Sequence, residues 1–444
     1  MTHFTVIAPP FTSHIRALQA LAGGLLARGH RVSWVHQAEV GALLTDARIA
    51  FRAVGAQTHA PGTLARTVAR AARPGGPLGL RRVIADVAGA TDMLCREAPA
   101  VLRALGTEAV IADQMEAAGG LLARALGLPC ISVACALPVN REPALPLPVM
   151  PWAHARDARG EQLNAGSARV YDWLMQPHAR VIEGHARAFG LGPHATLADC
   201  LSPLLQLSQT TASFDFPRRD LPAGFHHVGP LRPPAQDEPA LELPIEAGRP
   251  FVFASLGTLQ GGRFGLFRRI ARACRALDVQ LLLAHCDQLD AAQARALGRA
   301  GATWVTGFAP QRAALARADA VISHAGLNTA LDALAAGTPV LALPIAFDQP
   351  GVAARLAAAG AGLRLAPALA GVAALQKALR RLLDEPAFAQ RAQALGEDVR
   401  RAGGVAQAVD LIEAALAPQR LAASRPALAP GPAPAAPAGR WQAA

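Results

Sequence analysis

The sequence predicts an α/β fold made of two similar domains, each built on a parallel sheet. Its 444 residues are 52% hydrophobic, so the chain is long enough to bury two cores. Short apolar runs alternate with amphipathic stretches, which is typical of parallel strands covered by helices on both faces. A segment rich in proline and acidic residues, 231–250, separates two stretches in which this alternation occurs. We therefore expect an interdomain linker there.

The first domain is predicted over residues 1–230. Its expected elements are a strand at 4–8, a helix at 15–28, a strand at 31–35, a strand at 109–112, a helix at 115–126 and a strand at 130–134. The stretch 60–77 has no clear period, and we expect a loop that contains a helix. Strands that alternate with helices in this way predict parallel pairing.

The second domain is predicted over residues 251–417. Its expected strands lie at 251–255, 279–284, 303–305, 320–323 and 340–343, with helices at 264–277, 327–336 and 352–359 between them. The remaining residues, 418–444, are mostly alanine and proline. Such a composition cannot build a core, so it predicts a disordered tail.

Composition narrows the classes of function. Basic residues exceed acidic ones by eleven, but the arginines are spread along helical stretches, which favours a solvated surface over a nucleic-acid partner. The six cysteines show no C-x-x-C spacing, and the N-terminus lacks the apolar core of a signal peptide. No uninterrupted apolar stretch reaches about 20 residues. These features predict a cytoplasmic protein that attaches to a membrane at most peripherally.

The stretch 137–152 is apolar but contains five prolines. Such a run cannot form a helix or a central strand, so we expect a loop. Two interpretations stay open: a loop packed on its own domain, or the wall of a pocket for an apolar ligand.

His14 and Asp113 are the candidate catalytic residues of the first domain. His14 begins the helix after the first strand, and Asp113 closes a later strand. The turn between the first strand and this helix lacks the motif G-x-G-x-x-G, which argues against a dinucleotide-binding site there. The positive end of a helix disfavours imidazolium, so we expect a neutral His14 that Asp113 orients and that deprotonates a hydroxyl. A purely structural histidine is the alternative, and the chemistry alone leaves both open.

The second domain carries polar turns at the ends of three strands. The residues placed there are Ser255, Gly257, Thr258, His324, Gly326, Asn328, Thr329, Asp332, Asp348 and Gln349. Small residues before a helix let a diphosphate approach unpaired N–H groups, and a carboxylate beside an amide can bind several hydroxyls. Because the carboxyl ends of parallel strands meet at one edge, Trp304–Gln349 predicts a nucleotide-sugar pocket.

The stretch GFAPQ…SHAGLNTALDALAAGTPVLALPIAFDQ resembles the donor-binding signature of the UDP-dependent glycosyltransferases of GT-B architecture. The segments IAPPFTSHIRALQ, ADQMEAAGG and ALPIAFDQPGVA resemble the branch of that family that glucosylates the carotenoid zeaxanthin. The similarity extends from the first residues to about Gly403. It implies two Rossmann-like domains that face each other across a cleft.

The resemblance also implies roles for individual residues. These are catalysis by His14 and Asp113; phosphate contacts by Ser255, His324, Gly326, Asn328 and Thr329; uracil contacts by Phe308 and Gln311; a ribose contact by Asp332; and sugar contacts by Asp348 and Gln349, with Gly257 and Thr258 completing the donor site. Two positions depart from the plant-type signature. Phe308 replaces tryptophan, which reduces the stacking face, and Asp332 replaces glutamate, which shortens the reach to ribose.

The activity implied by the resemblance is an inverting transfer of glucose from UDP-glucose to an apolar hydroxylated acceptor, without metal or cofactor. Zeaxanthin fits best as the acceptor, with mono- and diglucosides as products, and peripheral membrane contact is expected for a carotenoid. Three alternatives stay open. They are a glycosyltransferase of the same build that acts on a macrolide or flavonoid, a sugar-nucleotide epimerase, and an inactive partner protein that binds nucleotide sugars.

Overall fold

Two parallel β-sheets organise the protein, whose computed structural model describes residues 1–233 and 239–423. The strands are β1 (His3–Ile7), β2 (Arg31–Gln37), β3 (Ala50–Val54), β4 (Ala109–Asp113), β5 (Cys130–Ala134), β6 (Leu205–Ser208), β7 (Phe225–His227), β8 (Phe251–Ser255), β9 (Gln280–Ala284), β10 (Trp304–Thr306), β11 (Ala320–Ser323), β12 (Val340–Ala342) and β13 (Gly362–Arg364).

The helices cover both faces of the sheets. They are α1 (Thr12–Ala27), α2 (Thr63–Ala72), α3 (Pro77–Leu105), α4 (Ala117–Ala125), α5 (Ala158–Leu174), α6 (Gln176–Ala188), α7 (Gly257–Gln260), α8 (Phe264–Arg275), α9 (Ala291–Ala300), α10 (Gln311–Arg317), α11 (Leu327–Ala336), α12 (Gln349–Ala358), α13 (Val372–Asp384), α14 (Pro386–Arg401) and α15 (Gly404–Ala423). Every strand and helix predicted from the sequence is present, with ends within three residues of the expected positions. The helix expected within 60–77 is α2.

The strand order creates one crevice in each sheet. The first sheet has the order β3-β2-β1-β4-β5-β6-β7 and the second β10-β9-β8-β11-β12-β13, with parallel pairing. In the first sheet β1 lies between β2 and β4, and in the second β8 lies between β9 and β11. The direction of the crossovers reverses at these two positions, so a crevice opens at the carboxyl ends of the strands. The predicted site residues follow these strand ends.

The last helix returns to the first domain. Ala408, Val409 and Ile412 of α15 are buried in the core that contains β1 and α1. Gly24 of α1 permits this close packing, because a Cβ there would lie 2.5 Å from Val405 Cγ1. Residues 404–417, predicted to belong to the second domain, therefore pack on the first.

The predicted linker and tail fall partly outside the described residues. The linker 231–250 is described at 231–233 and 239–250, where it forms neither helix nor strand. The tail predicted over 418–444 is described only as far as Ala423, where α15 ends. The predicted boundary at 417 thus lies inside a helix, and residues 424–444 are outside the described part.

A buried ion pair joins the two domains. Arg355 Nε donates to Asp215 Oδ1 over 2.8 Å, and neither side chain is more than 2% exposed. Arg218 donates to the other carboxylate oxygen over 2.9 Å, and the Arg355 guanidinium lies 4.4 Å from the centre of the Phe216 ring. Burial alone would raise the pKa of Asp215, but the two arginines hold it below its ordinary value. Removing one partner of such a pair costs about 3–5 kcal/mol, because the other charge stays buried.

The same face of α12 makes two further contacts with the first domain. Asp348 Oδ2 accepts from Leu137 N over 3.1 Å, and Gly351 N donates to Pro148 O over 3.0 Å. Asp348, Gly351 and Arg355 are spaced by three and four residues, so they lie on one side of the helix. Gly351 is required sterically, since a Cβ would lie 2.3 Å from Pro148 O.

Within residues 1–233 and 239–423, no helix has the length and apolar character needed to cross a bilayer. All six cysteines belong to this part of the chain, and each is an unpaired thiol.

Candidate active site

A cavity of about 2970 Å³ lies between the two domains. Of the residues predicted for the site, all but Asp113 line this cavity, and Asp113 lies behind His14. The structure therefore brings the candidates of both domains together. Whether each one has the role that the resemblance implies depends on its local contacts.

His14 and Asp113 form a hydrogen-bonded pair. His14 Nδ1 lies 2.8 Å from Asp113 Oδ2, and the two side chains are 14% and 0% exposed. Met115 N donates to the second oxygen of Asp113 over 2.8 Å, which fixes the carboxylate. In the described part of the chain, no protein atom is hydrogen-bonded to His14 Nε2. This nitrogen is therefore the one available to a substrate in the cavity.

The pKa of His14 lies above its ordinary value. Burial alone would lower it, but the charge and hydrogen bond of Asp113 and the charge of Asp348 raise it on balance. The helix end was expected to disfavour the imidazolium form of His14, whereas the two carboxylates favour that form, so the net shift in the pKa of His14 is upward. A histidine with a raised pKa is a stronger base that becomes neutral at a higher pH.

Cys135 completes a small cluster with this pair. One ligand atom each from His14, Asp113 and Cys135 lies within 4.8 Å of the others, a set that could hold a metal ion. Burial, followed by the charge and hydrogen bond of Asp113, raises the pKa of the Cys135 thiol well above its usual range. A protonated thiol is a poor metal ligand, so the arrangement favours a hydrogen bond from the thiol to the carboxylate.

Two glycines surround the imidazole of His324. A Cβ at Gly257 would lie 2.6 Å from His324 Cε1, and one at Gly326 would lie 2.5 Å from Nε2. Gly257 follows Ser255 at the end of β8 and has a φ of +72°. Burial lowers the pKa of His324 to about 4. The ring is therefore neutral near pH 7 and can donate an N–H to an oxyanion without adding a charge.

The turn before α11 is shaped for an anion. Ala325 has a φ of +63°, a left-handed conformation that a residue other than glycine rarely adopts. This conformation redirects the chain so that α11 begins at Leu327, directly after Gly326. The first N–H groups of a helix have no partner within it and lie at its positive end. A diphosphate at this position would receive these hydrogen bonds.

Asp332 already has partners on both of its oxygens. Arg232 Nε donates to Oδ1 over 3.0 Å, and Gln311 Nε2 donates to Oδ2 over 2.7 Å. Thr329 Oγ1 donates to Gln311 Oε1 over 3.3 Å. A ribose at Asp332 would therefore share the carboxylate with Arg232 and Gln311 or displace one of them.

Asn328 bridges the domains rather than facing only the donor side. Its Nδ2 donates to Ser13 O over 3.3 Å, and its Oδ1 accepts from Gln209 Nε2 over 3.3 Å. Ser13 directly precedes His14 in α1. The start of α11 is thus held against the start of α1.

Asp348 and Gln349 occupy the turn before α12. Gln349 is 5% exposed, and its Oε1 accepts from Ile345 N and Ala346 N over 2.8 and 2.9 Å. Its amide oxygen is therefore used by the backbone, and only the amide N–H groups are left for a sugar. Burial raises the pKa of Asp348, although Leu137 N and the charge of His14 oppose the shift.

Phe308 and Thr258 flank the donor side of the cavity. Phe308 follows β10 and is 54% exposed, so one face of its ring is available to stack on a base. Thr258 lies in the short helix α7 and is half-buried.

The part of the cavity that belongs to the first domain is mostly apolar. It is lined by residues of α2, α3, α5, α6 and the loop 137–152, among them Leu64, Val68, Ile84, Val87, Leu147, Val149, Met150, Val170 and Ile182, and by Met175 between α5 and α6. Leu137 is buried in a core cluster of the second domain. The loop therefore packs across the domain boundary and also forms a wall of the cavity.

Arg232 and Glu116 also line the cavity, although neither was predicted from the sequence as a site residue. Arg232 lies in the predicted linker, where proline and acidic residues drew attention to a boundary rather than a site. Glu116 Oε1 accepts from Thr91 Oγ1 over 2.7 Å, and burial raises the pKa of Glu116 to about 7. The sequence signal that could have predicted Glu116 is its position three residues after Asp113, just beyond the end of a strand.

Comparison with known proteins identifies the family. A zeaxanthin glucosyltransferase of Pantoea ananas is 49% identical over 93% of this chain and 96% of its own length. One of Pseudescherichia vulneris is 46% identical over 94% of this chain and 98% of its own length. This chain belongs to the UDP-glycosyltransferase family. Residues 275–410 of the glycosyltransferase also match the C-terminal domain of the family described as erythromycin biosynthesis protein CIII-like.

Solved structures confirm the GT-B architecture. The glycotransferase of kitacinnamycin superposes with a TM-score of 0.74 at 21% identity, covering 94% of this chain and 99% of that one. A calicheamicin glycosyltransferase superposes with a TM-score of 0.72 at 21% identity, covering 94% and 98%. The prediction of two facing Rossmann-like domains is thus confirmed. Family membership also makes the protein a transferase rather than an epimerase or an inactive binding partner.

Replacing Gly257 by alanine should weaken the binding of a nucleoside diphosphate. A side chain at a φ of +72° is strained, and its Cβ would displace His324 from the turn. We expect the dissociation constant of UDP, measured by titration calorimetry, to rise about tenfold or more. Gly265→Ala is the matched control, because this glycine lies in α8 with no atom near its Cβ. Equal affinities in both variants would show that the turn around His324 does not hold the diphosphate.

Replacing Asp113 by asparagine should change the pH profile of transfer. Asp113 raises the pKa of His14, so its loss lowers that pKa. A base acts in its neutral form, and the acidic limb of kcat/KM should therefore move to lower pH. The plateau rate should fall about 10²–10⁴-fold, because asparagine does not hold the same tautomer. Asp278→Asn, at an exposed side chain of the second domain, should leave the profile unchanged. An unmoved acidic limb in Asp113→Asn would contradict the pairing.

Proposed function

We propose that this glycosyltransferase moves glucose from UDP-glucose to the hydroxyl groups of zeaxanthin, with inversion at the anomeric carbon and without a metal ion. One observation carries the proposal: a histidine–aspartate pair on an apolar wall faces a glycine-rich turn at a helix start across one cavity. The choice of zeaxanthin as the acceptor is supported by the relatives in Pantoea ananas and Pseudescherichia vulneris, which are zeaxanthin glucosyltransferases.

His14 is the base in this mechanism. Its Nε2 takes the proton of the acceptor hydroxyl while the oxygen attacks the anomeric carbon, and the bond from that carbon to the diphosphate oxygen breaks. Asp113 stabilises the imidazolium that forms, since it is already bonded to Nδ1 at 2.8 Å. A positioned base contributes about 10²–10⁴-fold to the rate. A single displacement turns an α-linked donor into a β-glucoside.

The leaving diphosphate is stabilised by the second domain. The N–H groups at the start of α11 and the neutral ring of His324 donate to its oxygens, where negative charge increases as the bond breaks. These donors are fixed by the fold, so they need no reorganisation during the reaction. In this proposal they perform the charge stabilisation that a divalent cation performs in other transferases, and added EDTA should leave the rate unchanged.

The sugar is held by the turn before α12. Asp348 lines the cavity, and its charge contributes to the raised pKa of His14, so the sugar would lie between the base and this carboxylate. Gln349 contributes amide N–H donors only, because its oxygen accepts from two backbone groups. We assign the uracil to Phe308 and Gln311, and the ribose to Asp332, on the residue pattern of the family.

An apolar acceptor fits the wall that the first domain provides. Between α2, α3, α5 and α6 the cavity is lined mainly by aliphatic side chains, which favour a hydrocarbon over water. Zeaxanthin carries a hydroxyl at each end, so the monoglucoside can enter a second time in the opposite direction.

A macrolide is the second candidate acceptor. A demethyllactenocin mycarosyltransferase of Streptomyces fradiae is 32% identical over 54% of this chain and 52% of its own length. The lower identity and coverage make this candidate weaker than zeaxanthin.

Incubation of the purified enzyme with UDP-glucose and zeaxanthin tests the proposal directly. We expect zeaxanthin mono- and diglucoside by chromatography and mass spectrometry, with β-anomeric protons by NMR. A macrolide and a flavonoid are offered in parallel. Transfer to the macrolide but not to zeaxanthin would replace the proposed acceptor, and an α-glucoside would exclude the single displacement.

Replacing His14 by alanine should separate binding from chemistry. The side chain contacts the acceptor rather than the diphosphate, so the dissociation constant of UDP should stay within about twofold of the wild-type value. The transfer rate should fall by at least about 10²-fold. Arg219→Ala, at an exposed arginine outside the cavity lining, is the control for preparation and folding. Full transfer by the His14→Ala enzyme would remove His14 as the base.

A further inference from the structure

Exposed apolar side chains are concentrated on two helices of the first domain, α3 and α5. Among the described residues, nine large hydrophobic side chains are exposed, and five of them belong to the start of α3 and to α5. We call these five the apolar rim: Leu78, Leu80, Leu163, Val170 and Trp173. Leu78 and Trp173 are exposed by 71% and 70%. Exposed apolar side chains that form a patch on a protein surface are typical of a contact with a membrane, a protein partner or a ligand.

The apolar rim borders the acceptor side of the cavity through two of its residues. Leu80 and Val170 are solvent-exposed and also line the cavity, so these two side chains connect the rim to the cavity lining. Leu78 lies in the same first turn of α3 as Leu80 but does not line the cavity. Leu163, Val170 and Trp173 are spaced by seven and three residues, so they share one side of α5. The rim is therefore continuous with the aliphatic wall inside the cavity.

The surface beside the rim is basic. Residues 63–86, which form α2 and the start of α3, contain five arginines and one acidic residue, Asp86. Asp86 is bonded to Arg70 over 2.6 Å. Arg81 and Arg82 are exposed, directly follow Leu80, and have no acidic partner in the part of the chain that the structure describes. Their charge suits the anionic headgroups of a bilayer.

We propose that the apolar rim docks on an anionic lipid bilayer and holds the mouth of the cavity against the acyl chains. Leu78 and Trp173 enter the interface between headgroups and acyl chains, and Arg81 and Arg82 remain at the headgroups. A hydrophobic acceptor then passes from lipid to the aliphatic wall without crossing water, which removes the cost of hydrating its apolar surface. The inference rests on the proposed apolar acceptor, but the docking itself can be measured without any acceptor.

Vesicle flotation of the full chain tests the docking. Vesicles of phosphatidylcholine alone are compared with vesicles that also contain phosphatidylglycerol. We expect the wild type to float with the anionic vesicles and the double variant Leu78→Glu, Trp173→Glu to partition at least tenfold more weakly. Neither residue lines the cavity. The matched control is Leu369→Glu, because Leu369 is also 71% exposed but lies in the second domain.

Two further measurements test the docking without the glutamate variants, so they do not depend on whether those variants fold. Trp173 is the most exposed tryptophan of the described residues, so brominated lipid should quench wild-type fluorescence, and Trp173→Phe should lose most of this quenching. Replacing Arg81 and Arg82 by alanine should weaken partition to anionic vesicles by about fivefold for each arginine, and leave phosphatidylcholine binding unchanged.

Activity assays separate this inference from the proposed function. With zeaxanthin in detergent micelles, the rim variant should retain the wild-type rate, whereas with zeaxanthin in anionic vesicles its rate should fall at least tenfold. Wild-type flotation without transfer to zeaxanthin would reject the acceptor and leave the docking intact. Three results would overturn the docking: a wild type that does not float with the vesicles, a rim variant that floats like the wild type, or an equal loss of vesicle binding in Leu369→Glu. The rim would then be a candidate surface for a protein partner.

Discussion

The site depends on one buried interaction between the domains, the ion pair of Arg355 with Asp215. Separating these two buried charges would leave them unpaired in a low-dielectric environment, at a large cost in free energy. This contact therefore sets how α12 lies on the first domain. Asp348 lies seven residues before Arg355, two turns along the same face of α12. Anchoring the helix at Arg355 therefore also positions Asp348 near His14, where its charge contributes to the raised pKa of that histidine.

The two domains contribute different chemistry to the cleft. The first offers His14, a histidine with a raised pKa, beside a mostly aliphatic wall, and the second offers backbone donors and a neutral His324 at the start of a helix. This division suits a reaction between a hydrocarbon alcohol and a charged nucleotide, because each substrate meets the surface that solvates it best. The bond from Asn328 to Ser13 links the helix starts of both halves, so the base and the diphosphate turn keep a defined separation.

Several donor-side groups are already engaged within the protein. Arg232 and Gln311 both donate to Asp332, and the oxygen of Gln349 accepts two backbone N–H groups. A ribose bound at Asp332 would therefore exchange hydrogen bonds instead of adding them, and the net gain in binding free energy would be smaller than the number of contacts suggests. Arg232 comes from the segment between the domains and reaches the second domain at Asp332, so the domain connection and the donor pocket share a residue.

Local sequence predicted the small-residue turns, several helices and most strands, but not the strands β3, β6, β7 and β13. Their signals are short-range: apolar periodicity for β1 or β11, and glycine before a helix start for α11. The long helix α3 was not predicted, because it contains Pro99 and its burial is decided by partners such as α6. Likewise α15 carries no sequence signal that assigns it to the first domain; only its packing on α1 does so.

The pairing of His14 with Asp113 could be predicted from the strand ends. The upward shift in the pKa of His14 could not, because it depends on the positions of two carboxylates from different domains. The sequence by itself thus determined which residues are candidates for the chemistry. Their protonation, their mutual placement and the position of the apolar rim beside the cavity were decided by tertiary structure, because they depend on contacts between residues up to several hundred positions apart.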